Sequence, residues 1–304
     1  MKKYPNREII EDISLELGAA PAFIEKDWYA VEILKIISSI IDIPIIFTGG
    51  TSLSKAYGLI KRFSEDLDFR ILDYNLSREE RKNHRFAIIE RIRNMDNISI
   101  DEKSIESKNK SSFFSFNINY HQYFELPYAL RPYLKLEFSF DERELLTELK
   151  QIQSFITLYT SKDQYDCQIK TILPLETASD KFCALLWRID IKNRDLEIGC
   201  KENDPTIIRH LHDLSALTSI VLTNKLQFKD LVDVIYRKDK SRGRSNRSGN
   251  IRDLAQRTLQ NLSEDKLYEN EYKSFVDGMS YAPEREKITF QDGLKSLELI
   301  VEIL

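Results

Sequence analysis

Ile45-Ile46-Phe47-Thr48-Gly49-Gly50-Thr51-Ser52-Leu53-Ser54-Lys55-Ala56-Tyr57 and, eight residues further on, Asp66-Leu67-Asp68-Phe69-Arg70-Ile71 decide how this chain is read. The first segment opens with a short β-branched apolar run and ends abruptly at a glycine pair, the signature of a buried strand entering a glycine turn. A short helix over 53–57 is expected to follow. The second segment alternates, so Leu67, Phe69 and Ile71 point one way along a strand while Asp66 and Asp68 point the other. Two carboxylates therefore share one face.

The same periodicities extend in both directions. Asn6 is a fitting cap for a helix carrying Ile9, Ile10, Ile13 and Leu17, with Gly18 as its stop, and Pro21 suits the first turn of a second helix. Ser77 with Glu80 forms a capping box for a helix to about Arg93. Strands are expected over 98–105 and 113–120. A clearer one spans 133–140, where Leu134, Leu136, Phe138 and Phe140 form one face and Lys135, Glu137 and Ser139 the other. From about Leu173 the strand signals fade, and helical periodicity takes over at 174–188, 206–218, 228–236, 251–262 and twice more to Leu304. The chain is thus expected to be α+β. Residues 1–165 would form a core with a mixed or antiparallel sheet flanked by helices, and residues 166–304 a mostly helical bundle.

Composition limits the functional classes. The 304 residues carry 45 Lys and Arg against 49 Asp and Glu, a net charge of −4, which excludes a globally basic nucleic-acid coat protein. The most apolar stretch, 36–47, is broken by Ser38, Ser39, Asp42 and Pro44, too short and too polar for a bilayer span. The first residues lack the apolar core of a secretory signal, so a cytoplasmic location is expected. Cys167, Cys183 and Cys200 are widely spaced with no CxxC pairing, so neither a disulfide framework nor a thiolate zinc site is expected. His210 and His212 would diverge by about 200° on a helix and share no metal, and His84 and His121 stand alone. Phe113, Phe114, Phe116, Tyr120, Tyr123 and Phe124 are read as strand and core in preference to a base-stacking platform. The segment 237–252, with Arg237, Lys238, Lys240, Arg242, Arg244, Arg247 and Arg252 against Asp239 alone, reads as a basic loop.

A glycine pair after a strand, a helix opening, Asp-x-Asp on the next strand and a third carboxylate on a later one make a physical unit. Gly49 and Gly50 allow close backbone approach to a triphosphate, and amides at Thr51 and Ser52 can hold its oxygens. Asp66, Asp68 and Glu137 would repel one another unless a divalent cation sat between them, and an all-oxygen donor set points to Mg2+ or Mn2+. Two such ions suit polymerase-type transfer from an NTP.

The run from Ile46 to Tyr57 leading into Arg62-Phe63-Ser64-Glu65-Asp66-Leu67-Asp68-Phe69 resembles the first motif of the AbiEii/AbiGii-type nucleotidyltransferase toxins, in the DNA polymerase β nucleotidyltransferase superfamily. Glu137 matches that family's third-carboxylate strand, 175–188 is similar to its lysine helix, and His212-Asp213-Leu214 to its last motif. The resemblance implies a nucleotidyltransferase core in which Asp66 and Asp68 bind metal and Ser64 lies near the phosphates. It further implies that Lys181 reaches the triphosphate and that Asp213 orients Lys181 or helps deprotonate the acceptor. It also implies a growth-arresting toxin held by an antitoxin, with the 3′ end of tRNA as the leading acceptor, reached through the basic segment. Two alternatives stay open: transfer to a protein hydroxyl, and a catalytically idle nucleotide-binding module.

Overall fold

A computed structural model describes residues 4–73, 75–241 and 250–304, which fall into two compact units, Met1–Ile172 and Leu173–Leu304. The first unit is built on seven strands: β1 (Ile45–Thr48), β2 (Asp66–Ile71), β3 (Ile98–Lys108), β4 (Phe113–Tyr120), β5 (Tyr133–Phe140), β6 (Thr147–Ile152) and β7 (Cys167–Ile172). Their order in the sheet is β3-β4-β5-β2-β1-β7-β6. The sheet is mixed, with β2 parallel to β5, β1 parallel to β7 and the other neighbours antiparallel.

Helices α1 (Arg7–Leu17), α2 (Pro21–Ser38), α3 (Gly49–Lys55), α4 (Arg78–Arg93) and α5 (Phe155–Thr160) complete this unit. Their ends follow local chemistry. Asn6 accepts from the Glu8 amide at the start of α1, Gly18 closes it at φ 64°, Pro21 begins α2, and Ser77 with Glu80 makes the capping box of α4. On β2 and β5 alternate residues are buried. Leu67, Phe69 and Ile71 join Leu134, Leu136, Phe138 and Phe140 in one core with Tyr29, Ile33 and Ile88. The Phe69 and Phe138 rings stack at 4.8 Å, and Phe114 stacks on Phe138 at 4.7 Å, so the aromatic stretch in β4 is core, as the sequence indicated. Covering that face leaves the opposite one, with Asp66, Asp68 and Glu137, partly exposed; a one-residue slip would exchange the two sets.

The sequence reading needs four adjustments here. The helix after β1 opens at Gly49 itself, four residues before the expected start, so the glycine pair lies in its first turn. Strands β6 and β7 carry no mark in the sequence reading. Most of β6 is solvated edge, which gives no apolar alternation, whereas the buried Cys167, Ile169 and Thr171 of β7 do alternate, in residue types that signal weakly. The bundle begins with Leu173 instead of residue 166, because β7 pairs into the sheet.

The second unit is built, among its described residues, on helices: α6 (Pro174–Asp190), α7 (Arg209–Thr223), α8 (Lys225–Ser241), α9 (Ile251–Glu264), α10 (Leu267–Met279) and α11 (Phe290–Glu302), with loops and short 3-10 turns between them. Helix α6 packs against α7, α8 and α9. As a fourth adjustment, Arg237, Lys238 and Lys240 belong to α8 and Arg252 to α9; Arg242, Arg244 and Arg247 lie outside the described residues. All three cysteines are free, and no described helix is long and apolar enough to cross a membrane.

Candidate active site

Strand register assembles the acidic face. Thr48 lies opposite Asp68 across β1 and β2, and across β2 and β5 Asp66 lies beside Lys135 and Asp68 beside Glu137. Neighbouring strands sit about 5 Å apart, so these side chains share one small patch. The helix opening is shaped around it. Gly49 has φ 76°, and a Cβ there would overlap the Asp68 carboxylate; a Cβ on Gly50 would stand 2.8 Å from Arg62 Nη2 and 3.4 Å from Ser64 Oγ. The room expected for a triphosphate at these glycines is thus taken, in the direction of Cβ, by the protein's own Asp68 and Arg62.

Hydroxyls fasten the same turn. Thr51 Oγ1 donates to the Asp66 carbonyl at 2.5 Å, and Ser52 Oγ donates to the Gly49 carbonyl at 2.8 Å. Both side chains serve the backbone, leaving amides as what this turn can offer a ligand. Lys55, at the end of α3, pairs with the buried Asp27 of α2, which also accepts from the Phe155 amide at 2.8 Å. Helix α3 is therefore tied to α2 as well as to β2.

Cations balance the patch. Lys135 Nζ is 2.5 Å from Glu137 Oε1, and Arg131 Nη2 donates to Asp66 Oδ1 at 2.7 Å. Arg131 also reaches Glu65: its Nε donates to Oε2 at 3.0 Å and its backbone amide to Oε1 at 2.6 Å. Lys26 Nζ completes the knot, donating to Glu65 Oε1 and to the Arg131 carbonyl, each at 2.8 Å. Burial pushes the Lys26 amine down to about 8, against the upward pull of Glu65. Burial works to lower the Lys135 amine, but its bond to Glu137 together with the charges of Glu137 and Asp66 holds it above the ordinary lysine value.

Among the described residues, no three acidic, histidine or cysteine side chains are gathered as a metal-ligand set. Glu137 is turned to Lys135. The donor chemistry nevertheless fits a hard divalent cation, because Asp66, Asp68 and Glu137 offer only carboxylate oxygens, and Asp66 and Glu137 have each recruited a basic side chain on the same patch.

In the helical unit, Lys181 of α6 and Asp213 of α7 form a buried pair at 2.7 Å, with side chains 9% and 0% exposed. The other Asp213 oxygen is 3.3 Å from Nδ1 of His212, which is itself buried beside Tyr272 and Phe275. The structure thus places Gly49, Gly50, Thr51, Ser52, Ser64, Asp66, Asp68 and Glu137 together in the sheet unit, and Lys181 with Asp213 in the helical unit. Sequence reasoning missed Arg131, Lys26, Glu65 and Arg62. Glu65 and Arg62 did stand within the quoted motif, but nothing local marked Arg131, which lies 65 positions from Asp66.

A family profile described as nucleotidyl transferase AbiEii toxin of type IV toxin–antitoxin systems matches residues 34–296. Among solved structures, the chain resembles the nucleotidyltransferase toxin MenT4 of Mycobacterium tuberculosis, with a TM-score of 0.54 and 17% identity over 96% of this chain and 99% of that one. That likeness concerns the fold. No curated protein matches the sequence.

Proposed function

The chain belongs to the AbiEii family of nucleotidyltransferase toxins, and from that premise we propose that it moves a nucleoside monophosphate from an NTP to the 3′ end of tRNA with the help of a divalent cation at Asp66 and Asp68. Membership carries NTP-using nucleotidyl transfer and a toxin role opposed by an antitoxin. The metal, the tRNA acceptor, the residue roles and a cytoplasmic site of action are our reading.

The observation that carries it is the partly exposed pair Asp66 and Asp68 on the open face of β2, with Gly49 shaped around the Asp68 carboxylate. In this reading Asp66 and Asp68 hold Mg2+ or Mn2+, with Glu137 of the adjacent strand as the third carboxylate once it leaves Lys135. The bound ion would neutralise triphosphate oxygens and ease the departure of pyrophosphate. The chain's own part is positional. The α3 turn and Ser64 offer amides and a hydroxyl to phosphate oxygens as the acceptor hydroxyl, losing its proton to solvent, bonds to the α-phosphorus and the bond to pyrophosphate breaks. Lys181 serves as a cation for the triphosphate, and Asp213, fully buried and bonded to Lys181, suits an orienting role better than that of a base. Arg237, Lys238, Lys240 and Arg252, with the basic residues between them, would track the RNA backbone.

The test is to incubate the purified chain with each α-labelled NTP, Mg2+, total tRNA and a cell lysate, beside Asp66→Ala. Label on tRNA with the unaltered chain alone is expected, with a loss of about a thousandfold or more in the variant at unchanged circular dichroism. Label on protein moves the acceptor to a side-chain hydroxyl. No label with any NTP leaves the idle binding module, and transfer persisting in Asp66→Ala removes the metal-site assignment.

A further inference from the structure

The acidic patch carries one basic side chain whose bonds divide into fixed and exchangeable ones. Arg131 lies in the connection between β4 and β5, two residues before β5 begins. Its backbone is held at both ends, the amide donating to Glu65 and the carbonyl accepting from Lys26. The same connection is fastened again where the Tyr123 amide donates to Glu25 of α2 at 3.0 Å. Lys26 is 4% exposed and Glu65 13%, so these fastenings are largely buried. The guanidinium is different. It is 33% exposed, its Nε is retained by Glu65 and its Nη2 alone extends to Asp66. A rotation about the side chain's outer bonds releases Asp66 without disturbing the backbone bonds to Glu65 and Lys26.

We infer that Arg131 is a positioning residue that holds Asp66 in place of the divalent cation and yields that carboxylate when the cation binds. The inference rests on the reading that Asp66 is a metal ligand. The physical ground is competition for one carboxylate's charge: a guanidinium bonded to Asp66 Oδ1 at 2.7 Å sets a positive charge beside the carboxylate that a divalent cation would need. A cation binding at Asp66 must work against this guanidinium charge or displace it, and either weakens its affinity. In return, Asp66 is kept oriented and charge-balanced when no cation is bound. Glu65 provides the resting place: it accepts from the Arg131 backbone amide and from Nε, so a carboxylate stays within reach when the planar guanidinium turns from Asp66.

The test titrates Mn2+ alone, without nucleotide, into the full-length chain and its variants, following free Mn2+ by electron paramagnetic resonance. Arg131→Gln removes the competitor while keeping the backbone amide to Glu65, and is expected to bind Mn2+ about tenfold more tightly. Arg131→Lys keeps a charge that cannot bridge Glu65 and Asp66 as a fork does, and is expected to fall between the two. If Arg131→Gln proves unfolded by circular dichroism, Arg131→Lys decides, and affinity equal to or below that of the unaltered chain overturns the inference. A purely structural role would lower the melting temperature of Arg131→Gln and leave Mn2+ affinity unchanged or weaker, which also overturns it. Asp66→Asn separates the premises. If it abolishes Mn2+ binding while the Arg131 variants bind as before, only the Arg131 role fails; if it leaves Mn2+ binding intact, the metal assignment fails and takes the Arg131 role with it.

Discussion

The acidic face of β2 and β5 and the Lys181–Asp213 pair of α6 and α7 both set a basic side chain against a carboxylate, yet they differ in how much water remains. On the sheet, Lys135 and Glu137 keep 35% and 30% of their side-chain surface and Arg131 keeps 33%. In the helical unit Asp213 keeps none and Lys181 keeps 9%. Asp66, the partner of Arg131, keeps 15%, and a partly hydrated pair costs less to break than a dry one, so its members can exchange one partner for another. A dry pair cannot lose one member without stranding the other, so its geometry is fixed by packing. The first arrangement suits a place where ligand charge arrives and leaves; the second suits a lysine that must be held in one orientation.

The sharpest way to break this comparison is to remove the buried carboxylate. Asp213→Ala takes a buried carboxylate from Lys181 and is expected to cost about 3–5 kcal/mol in urea unfolding, whereas Asp213→Asn, which keeps an acceptor, should cost less. A cost below about 1 kcal/mol for Asp213→Ala would show that water reaches the pair and that the two regions do not differ in kind. Gly49→Ala comes next. It forces a side chain into the left-handed region and into the Asp68 carboxylate, so a loss of about 1–3 kcal/mol is expected together with impaired transfer. A stable and active Gly49→Ala would mean that the turn is not shaped around Asp68. The smallest effect belongs to Lys135→Ala, expected to change stability by less than about 1 kcal/mol because its pair with Glu137 is open to solvent. Calorimetry giving Lys135→Ala the same cost as Asp213→Ala would erase the distinction.

How legible these regions were follows the range of the interactions that make them. Asn6, Gly18, Pro21 and the Ser77–Glu80 box act over four residues or fewer, and each appears where the sequence puts it. The alternation of 66–71 and 133–140 likewise assigned Asp66, Asp68 and Glu137 to the polar side. Strand β6 was hidden because an edge strand with solvated side chains has no reason to alternate. The glycine pair was readable as a special turn, but not what fills the space beside it: Asp68 and Arg62 reach those positions only when β2 and the segment before it fold back against α3.

By itself, the sequence determined most of the strands and helices, though not β6 and β7, which carboxylates face away from the core, and, through its motifs, the family to which the chain belongs. These are properties of neighbours along the chain, enforced by a side-chain period of two or 3.6 and by the burial of whichever face is apolar. Only the tertiary structure decided that β2 lies between β1 and the distant β5, that Arg131 takes Asp66 while Lys135 takes Glu137, and that the Lys181–Asp213 pair is dry. Those outcomes depend on strand order and on exclusion of water across long stretches of chain, and no local pattern records which of several equally plausible cations will reach a given carboxylate.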